Sequence, residues 1–539
     1  MPTLDFKGKQ YIYSHHHSVP FRELEVDGKK SLPAKGKNAG LDDNLIIHGD
    51  NLHALKALMP QYAGKIQCIY IDPPYNTGNE GWCYNDNVNS PLMKDWLKKN
   101  ANPVDKEDLQ RHDKWLCMMW PRLRLFKDLL SDDGIIFVSI DDNEQASLRL
   151  LMDEIFSENN FLAQFIWKSR QNKDNRNVTG ASIDHEYIVG YGKKIRGDDR
   201  KTDQFSNQDN DPRGVWTSGN MVGLANEEAR PNLHYELIDP KTKINYGKPS
   251  QGWRYDKKRM AQLMQEGKIL WPSSADGRPR VKVFLSEMKD EFTGFSSIVA
   301  PEIFTRDGGK EIEEIFGNRP FDFPKPTRLL KELIRQACPK DGIILDSFAG
   351  SGTTAHAVLD LNKEDGGNRK FILVEMEDYA DKTTAERVRR VIKGVPTVKD
   401  EKLKRGLGGS FTFCTLGKEI NIEKIITGES LPDYGALAKY VFYTATGHSL
   451  DKEAKPKPDF FVGETDLYEV FLIYKPDIAF LRGNDSALND AKSKAIVERG
   501  SKKEKLVFAT AKYMGQKELS DHNITFCQLP YAIHKVVGA

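Results

Sequence analysis

The sequence predicts an α/β protein whose core is a mostly parallel, Rossmann-like sheet covered by helices on both faces. Apolar runs recur along the chain, as in KIQCIYI at 65–71 and KFILVEM at 370–376. Each run ends at an acidic or glycine-containing loop, and a helical pattern follows it. Continuous apolar strands that alternate with helices are typical of parallel sheets buried on both faces.

The chain is expected to divide into several domains, because its 539 residues are too many for one hydrophobic core. Residues 1–40 are polar and are expected to form an N-terminal arm, and 41–194 form the first half of the α/β core. Residues 195–318 are loop-rich and interrupt the strand–helix rhythm, so they are interpreted as an insert. The rhythm returns over 319–398, and 399–539 are expected to form a smaller α+β domain after a Lys/Gly-rich linker.

The bulk composition excludes several classes of protein. No stretch approaches the ~20 apolar residues that a membrane helix needs, and the first residues lack the pattern of a secretion signal. The six cysteines, Cys83 among them, are scattered and form no CxxC pair. They predict reduced, mostly buried thiols in a cytoplasmic protein, without a disulfide framework or a structural metal site.

The segment GIILDSFAGSGTT, residues 342–354, predicts a ligand site at a strand end. An apolar strand ends at Asp346, a glycine-bearing turn follows, and a helix begins beyond it. Glu375 stands at the end of the next strand, where a carboxylate can accept hydrogen bonds from both hydroxyls of a ribose. Nicotinamide and flavin enzymes use a similar turn, but Ala355 replaces their third glycine. A nucleoside ligand without a pyrophosphate is therefore favoured over a nicotinamide dehydrogenase.

The tetrad Asp72-Pro73-Pro74-Tyr75 follows another apolar strand and predicts chemistry on an aryl amine. Such an amine is a poor nucleophile because its lone pair is delocalised into the ring. The Asp72 carboxylate and the Pro73 carbonyl can accept from its two N–H bonds and free that lone pair, while the prolines fix the backbone. Tyr75 offers a face on which a base can stack. The alternative is a β-turn in which Pro-Pro ends a strand.

A basic window inside the insert predicts contact with nucleic acid. Eleven Lys or Arg residues but only three acidic residues lie between Lys241 and Lys282, interleaved with Tyr246, Trp253, Tyr255 and Trp271. A locally basic, aromatic-bearing module in a chain of net charge +1 fits a nucleic-acid surface confined to one face. The alternative is an ordinary solvated helix face.

DPPY followed by DSFAGSG resembles the amino-methyltransferases of DNA, in the β order of motifs. The resemblance implies a seven-stranded, mostly parallel sheet with one antiparallel strand, S-adenosylmethionine as cofactor, and a target recognition domain in place of the insert. It implies methylation of a flipped base, with Asp72 before Pro-Pro-Tyr favouring N6 of adenine over N4 of cytosine. The implied cofactor residues are Asp346, Phe348, Gly350, Ser351, Gly352, Thr353 and Glu375, with Pro326 of PKPTRLL and Asp50 of HGDNL. Asp50 can equally be a helix N-cap.

Further segments, among them HHSVPFRELE, YIDPPYNTGNE and LPDYGALAKYVFYTATG, resemble the modification subunits of type III restriction-modification systems. That family implies double-stranded DNA as substrate, a homodimer and a separate ATP-dependent helicase-nuclease subunit. The other interpretation is a recognition subunit that mainly loads a nuclease. The residues expected to contact DNA are Lys173, Arg254, Lys257, Lys258, Arg259, Arg278 and Arg280.

Overall fold

A large twisted sheet organises the computed structural model, which describes residues 3–78, 111–175, 180–288, 292–420, 425, 431–450 and 454–529. In the described residues this sheet has ten strands, with the bounds β1 Arg22–Leu32, β2 Leu45–His48, β3 Ile66–Ile71, β4 Leu130–Ile140, β5 Phe161–Trp167, β6 Glu186–Tyr191, β12 Ile298–Val299, β13 Ile343–Asp346, β14 Lys370–Glu375 and β15 Phe411–Glu419. Their order across the sheet is β1-β15-β2-β14-β13-β3-β4-β6-β5-β12.

Seven consecutive strands of this sheet, from β2 to β5, have the arrangement that the family resemblance implies. Neighbours pair in parallel from β2 through β14, β13 and β3 to β4, and β6 alone runs antiparallel to both of its neighbours, β4 and β5. The predicted α/β fold class is confirmed. Strands β15 and β1 extend one edge of these seven, and β12 extends the other.

The strands are apolar because helices bury both faces of the sheet. Leu45, Ile69, Phe137 and Leu373 each have no solvent exposure. The helices of this region are Lys9–Ile12, His15–Ser18, Asn51–Tyr62, Arg111–Leu129, Gln145–Phe156, Thr305–Phe316, Thr327–Ala337, Thr353–Asp365, Glu386–Lys393, Glu401–Arg405 and Tyr434–Thr446. Five cysteines, 68, 117, 338, 414 and 527, are buried free thiols, and Cys83 lies outside the described residues.

The structure divides the chain at points that differ from the sequence-based boundaries. Residues 22–32, expected in an arm, form β1, and 411–419, expected in the C-terminal domain, form β15 beside it. A polar edge strand such as β1 is held mainly by backbone pairing, so it carries little hydrophobic signal. The compact inserted unit comprises Gly197–Phe295, and the helix Thr305–Phe316 belongs to the other unit.

The inserted unit has its own small core. Its strands are β7 Asp198–Asp199, β8 Trp216–Asn220, β9 Ile269–Leu270, β10 Arg280–Phe284 and β11 Phe292–Thr293, and its helix is Lys257–Gln265. Strand β10 pairs antiparallel with both β8 and β9. Met221, Trp253, Met260 and Leu263 pack together in the core of this unit.

The C-terminal region adds a four-stranded sheet. Its strands are β16 Phe461–Glu464, β17 Tyr468–Leu472, β18 Glu504–Ala509 and β19 Ile524–Gln528, and its helices are Ile478–Arg482, Asp490–Val497 and Gln516–Asp521. The strands lie in the order β16-β17-β18-β19. In the part of the chain that the structure describes, no helix has both the length and the apolarity to cross a membrane.

Candidate active site

The two sequence motifs meet at one edge of the sheet. Strand β13 pairs in parallel with β3, with Leu345 opposite Ile69, so the loops that follow Ile71 and Asp346 leave neighbouring strands in the same direction. The carboxyl ends of parallel strands at such a point form the usual ligand crevice of an open α/β sheet. The structure therefore brings the tetrad and the glycine turn together.

Asp72 forms a close ion pair with Lys325, a residue that the sequence did not single out. The Lys325 Nζ atom donates to Asp72 Oδ1 at 2.8 Å and to Oδ2 at 2.7 Å. Only 11% of the lysine side chain is exposed, and its Nζ lies 3.4 Å from Glu186 Oε2. Burial disfavours the ammonium, but the carboxylates of Asp72 and Glu186 outweigh burial and raise the pKa of Lys325. The lysine is therefore a charged, oriented donor.

Tyr75 belongs to the same cluster. Its hydroxyl donates to Glu186 Oε2 at 3.0 Å and accepts from Lys325 Nζ at 2.9 Å. Burial and the negative charges of Asp72 and Glu186 raise the pKa of the Tyr75 hydroxyl well above its usual range. The Trp115 indole N–H donates to the Pro74 carbonyl at 2.7 Å. Hydrogen bonds therefore hold both the Pro74 carbonyl and the Tyr75 side chain of the tetrad in place.

Backbone strain follows directly after the tetrad. Asn76 has φ of 62°, a conformation that non-glycine residues rarely adopt, and its side chain is fully buried. Its Nδ2 donates to Glu144, which also contacts His112 Nδ1 at 2.6 Å. A buried carboxylate therefore fixes the turn that ends the tetrad.

The glycine turn needs its glycines for space and for conformation. Gly350 and Gly352 have φ of 52° and 79°, where other residues are strained. A Cβ on Gly352 would stand 2.9 Å from the Thr384 carbonyl oxygen. The Thr384 hydroxyl donates to the Gly350 carbonyl at 2.6 Å, so the segment after β14 contacts the turn and stabilises it.

Glu375 ends β14 as predicted and is tied to the turn. Its Oε2 accepts from the Gly350 N–H at 2.7 Å, and its Oε1 accepts from the Glu377 N–H at 3.0 Å. Burial raises the pKa of Glu375, although these backbone N–H groups oppose the shift. A carboxylate has about four lone-pair sites, so both oxygens can also accept from ligand hydroxyls.

Asp346 is a structural support for the turn. Its Oδ1 accepts from the Phe348 N–H at 3.0 Å, and its Oδ2 accepts from the Thr354 hydroxyl. Burial raises the pKa of Asp346 to about 7. Phe348 is half-buried and packs against the main core.

Arg387, which the sequence analysis did not single out, contacts the glycine turn. Its side chain is fully buried, and its Nη1 donates to Ser351 Oγ at 2.9 Å and Thr353 Oγ1 at 2.7 Å. Its Nη2 lies 3.5 Å from Glu311 Oε2. The hydroxyls of Ser351 and Thr353, both predicted to hold cofactor, are therefore bonded to the protein itself, and these residues can offer a ligand their backbone.

Pro326 and Asp50 lie at helix starts. Pro326 precedes Thr327–Ala337, and Thr327 donates from its N–H and hydroxyl to Glu311. Asp50 accepts from the His53 N–H at 3.0 Å, so it does cap its helix. The Gly49 N–H donates to the Glu375 carbonyl at 2.9 Å, which also places Asp50 next to the end of β14.

A sequence profile of the N6/N4 methylase family, described as DNA methylase, matches residues 66–386. The chain belongs to this family.

The chain also resembles known restriction-modification proteins. It is 34% identical over 405 residues to the Mod subunit of the type III enzyme StyLTI of Salmonella typhimurium, covering 71% of this chain and 59% of that subunit. It is 30% identical over 434 residues to the EcoP15I Mod subunit of Escherichia coli, covering 70% and 64%. It is 34% identical over 395 residues to the type II methyltransferase M.KpnI of Klebsiella pneumoniae, covering 67% and 86%. The predicted resemblance to Mod subunits is confirmed, and the aligned part spans less than two thirds of the first two relatives.

The basic residues of the inserted window divide into a buried group and an exposed group. Lys268 pairs with Glu266 and Glu287, and Lys282 pairs with Asp209 and Asp211; both lysines are buried. Trp253, one of the interleaved aromatics, is 2% exposed and belongs to the unit's core. The other nine basic members are exposed, and they include the predicted DNA contacts Arg254, Lys257, Lys258, Arg259, Arg278 and Arg280; Lys173 is exposed in the other unit. All seven predicted DNA contacts are therefore on the surface.

The important residues that sequence analysis missed are Lys325, Glu186 and Arg387. Lys325 lies within PKPTRLL, where only Pro326 was singled out. Glu186 begins β6, and a lone acid at a strand start carries no local signal. In the sequence, Arg387 looks like an ordinary basic residue of an amphipathic helix, Glu386–Lys393. The signal that could have indicated it is its position on the apolar face of this helix, four residues before Val391.

Proposed function

We propose that this chain is a site-specific DNA methyltransferase that transfers a methyl group from S-adenosylmethionine to N6 of adenine. We further propose that it is the modification and recognition subunit of a type III restriction-modification system. One observation carries the catalytic proposal. The Asp72 tetrad and the Gly350 turn follow adjacent parallel strands of one sheet, so an amine and a methyl donor can meet between them.

The residues after β13 and β14 fit the proposed cofactor. The left-handed Gly350 and Gly352 let a ligand approach the backbone closely. The Glu375 carboxylate, 6% exposed, is positioned to accept from two ribose hydroxyls. Asp50, Asp346, Phe348 and Pro326 complete the proposed binding surface. When bound, S-adenosylmethionine supplies an already activated methyl group on a sulfonium.

The chain's own residues would prepare the amine. Asp72 accepts from one N–H bond and the Pro73 carbonyl from the other, which draws the nitrogen toward tetrahedral geometry and frees its lone pair. Tyr75 holds the base by stacking, a contact worth ~1–3 kcal/mol. Positioning and exclusion of water carry most of the remaining rate gain. The proton that the amine loses can pass to Asp72 or to solvent.

The target amine of a duplex is out of reach unless its base is flipped out, which costs a few kcal/mol. We assign DNA recognition to the inserted segment, for which 195–318 was expected and within which 197–295 is compact. The exposed cations there would contact phosphates, and other side chains would read base edges. Lys173 would add a phosphate contact from the core unit.

Two relatives are Mod subunits of multisubunit type III enzymes, which supports a separate helicase-nuclease partner for this chain. We also propose a homodimer and a cytoplasmic location, where the DNA substrate lies. The family includes methylases of both amines, and Asp72 in front of Pro-Pro-Tyr favours adenine. An intact tetrad and glycine turn argue against a subunit that only recognises DNA for a nuclease.

The test is a transfer assay with methyl-labelled S-adenosylmethionine and unmethylated genomic DNA, followed by digestion and chromatography of the nucleosides. We expect label in N6-methyldeoxyadenosine. Label in N4-methyldeoxycytidine would correct the base but keep the enzyme class. No incorporation by folded, DNA-binding protein would refute the catalytic proposal. Sequencing of the methylated bases then gives the recognition site.

A further inference from the structure

A hydrogen-bond donor and an acceptor lie side by side next to the Tyr75 ring. The donor is the Lys325 ammonium, 2.7–2.8 Å from the two oxygens of the Asp72 carboxylate, which is the acceptor. The ammonium is also 5.0 Å from the centroid of the Tyr75 ring. A base stacked on that ring can present one edge to both groups.

This pair complements one class of base edge. Adenine carries its amine next to N1, a ring nitrogen that accepts, and cytosine carries its amine next to N3. At the corresponding positions, C6 of guanine and C4 of thymine, these bases instead carry a carbonyl oxygen next to a ring N–H. They would set oxygen against the Asp72 carboxylate and N–H against the Lys325 ammonium, and both contacts would be repulsive and unsatisfied.

The present hydrogen bonds leave room for such a contact. The ammonium has three donors, of which one goes to the Tyr75 hydroxyl and two go to the same carboxylate, so one of the two bonds to Asp72 is exchangeable. Asp72 retains lone-pair sites for an amine after binding the lysine. Glu186, 3.4 Å from Nζ, keeps a counter-charge beside the ammonium if it shifts toward a base.

We propose that Lys325 reads the target base by donating a hydrogen bond to the ring nitrogen beside the reactive amine, N1 of adenine, while Asp72 accepts from the amine. The inference rests on the proposed function and deepens it. Lys325 admits adenine and cytosine, whose 6-amine or 4-amine lies next to an acceptor ring nitrogen, and rejects guanine and thymine; it does not choose between adenine and cytosine.

The test removes each partner of this hydrogen bond in turn. The target adenine is replaced by 1-deazaadenine, in which C–H takes the place of N1, and Lys325 is replaced in Lys325→Met. The wild type should lose roughly tenfold in kcat/KM on the deaza substrate, as for a hydrogen bond to a charged donor. Lys325→Met should have low activity on adenine but lose less than about twofold on the deaza base, since no donor remains.

Two controls isolate the contact. The weaker pairing of 1-deazaadenine with thymine affects every variant alike, so it cancels when the loss factors are compared. Lys325→Arg, which keeps a cationic donor, should retain most of the sensitivity to the deaza base. Should Lys325→Met turn over too slowly, dissociation constants measured with S-adenosylhomocysteine present give the same comparison without methyl transfer.

Equal loss factors in the wild type and in Lys325→Met would overturn the role of Lys325 and leave a merely structural ion pair. That result is distinct from failure of the proposed function, in which the wild type would not methylate adenine DNA at all.

Discussion

Carboxylates around the glycine turn of the core unit behave in the opposite way to several carboxylates of the inserted unit. In the core, burial raises the pKa values of Asp346, Glu375 and Glu311. In the inserted unit, hydrogen bonds from cationic side chains lower those of Glu227 and Glu266, and Arg213 and Lys282 do so for Asp211. Near the glycine turn, the core unit therefore holds carboxyl groups where burial disfavours their charge, as binding sites often do. In the inserted unit, carboxylates instead form ion pairs with cationic side chains and so stabilise a small fold.

The comparison also separates the lysines. Lys325 in the core is buried against two carboxylates, so its charge is directed at a few atoms. Lys257 and Lys258 in the inserted unit are exposed, so their charge is available to a polyanion. Lysine thus makes a few specific contacts in the core unit, whereas in the inserted unit its charge is available to attract a polyanion over a wider surface.

The largest expected effect comes from Asp72→Ala. The change removes the acceptor for the target amine, and methyl transfer should fall by roughly a thousandfold or more. DNA binding should persist because the exposed cations of the inserted unit are unchanged. Transfer of labelled methyl and a DNA-binding titration measure the two properties on one preparation. A normal methylation rate would overturn the catalytic assignment.

Arg387→Met tests whether burial dominates in the core. It removes a fully buried guanidinium from its ion pair with Glu311, whose side chain is 30% exposed, and from the hydroxyls of Ser351 and Thr353. Those hydroxyls keep only their contact with each other, so we expect a loss of about 1–3 kcal/mol in stability. Thermal unfolding measures it as a lowered midpoint. The matched control is Arg335→Met, whose ion pair with Glu364 is 41% exposed on the arginine side and should matter little. Similar shifts for both variants would contradict the prediction.

Neutralising Lys257, Lys258 and Arg259 to Gln together tests the exposed charge of the inserted unit. DNA affinity should fall, and the slope of log affinity against log salt should decrease by roughly one for each phosphate that the variant no longer neutralises. The control removes equal charge at Lys494, Lys502 and Lys517, which are exposed in the C-terminal region. An unchanged salt slope would place the DNA surface elsewhere.

The smallest expected effect concerns the pH dependence that Asp346 introduces. Its pKa is raised to about 7 by burial, so its contribution to stability is full below about pH 4 and is lost as pH rises through 7. Asp346→Asn keeps an acceptor for the Thr354 hydroxyl and cannot ionise. Between pH 5 and pH 8 its unfolding midpoint should therefore rise relative to the wild type, by at least about 2–4 °C. Parallel pH curves would show that Asp346 does not titrate in this range.

The sequence predicted those features whose signal is local. The apolar runs β3 and β13, each followed at once by its loop, indicated both the parallel sheet and the edge where the tetrad and the turn meet. Gly350 and Gly352 have a left-handed backbone, which glycine adopts without strain. The residue type alone therefore indicated a tight turn here.

Features that depend on distant partners were not predictable in this way. Lys325 and Asp72 are 253 residues apart, so the lysine's charge could not be assigned to the site before the fold was known. The interleaving of aromatic and basic residues predicts a nucleic-acid contact for Trp253, but the inserted unit needs this side chain as core. In a unit of about a hundred residues, large aromatics supply much of the buried area, so aromatic interleaving alone does not indicate a binding surface.

The pairing of β1 with β15 has a consequence for how the protein is made. Arg22 reaches the Gly417 carbonyl across 395 positions of chain. At about 5–20 residues per second, the ribosome completes β15 on the order of tens of seconds after β1 has emerged. Until then β1 lacks the partner that pairs its backbone groups. Truncated or slowly translated chains should therefore display an unpaired strand, which is a template for aggregation, and nascent chains should depend on chaperones until translation passes residue 419.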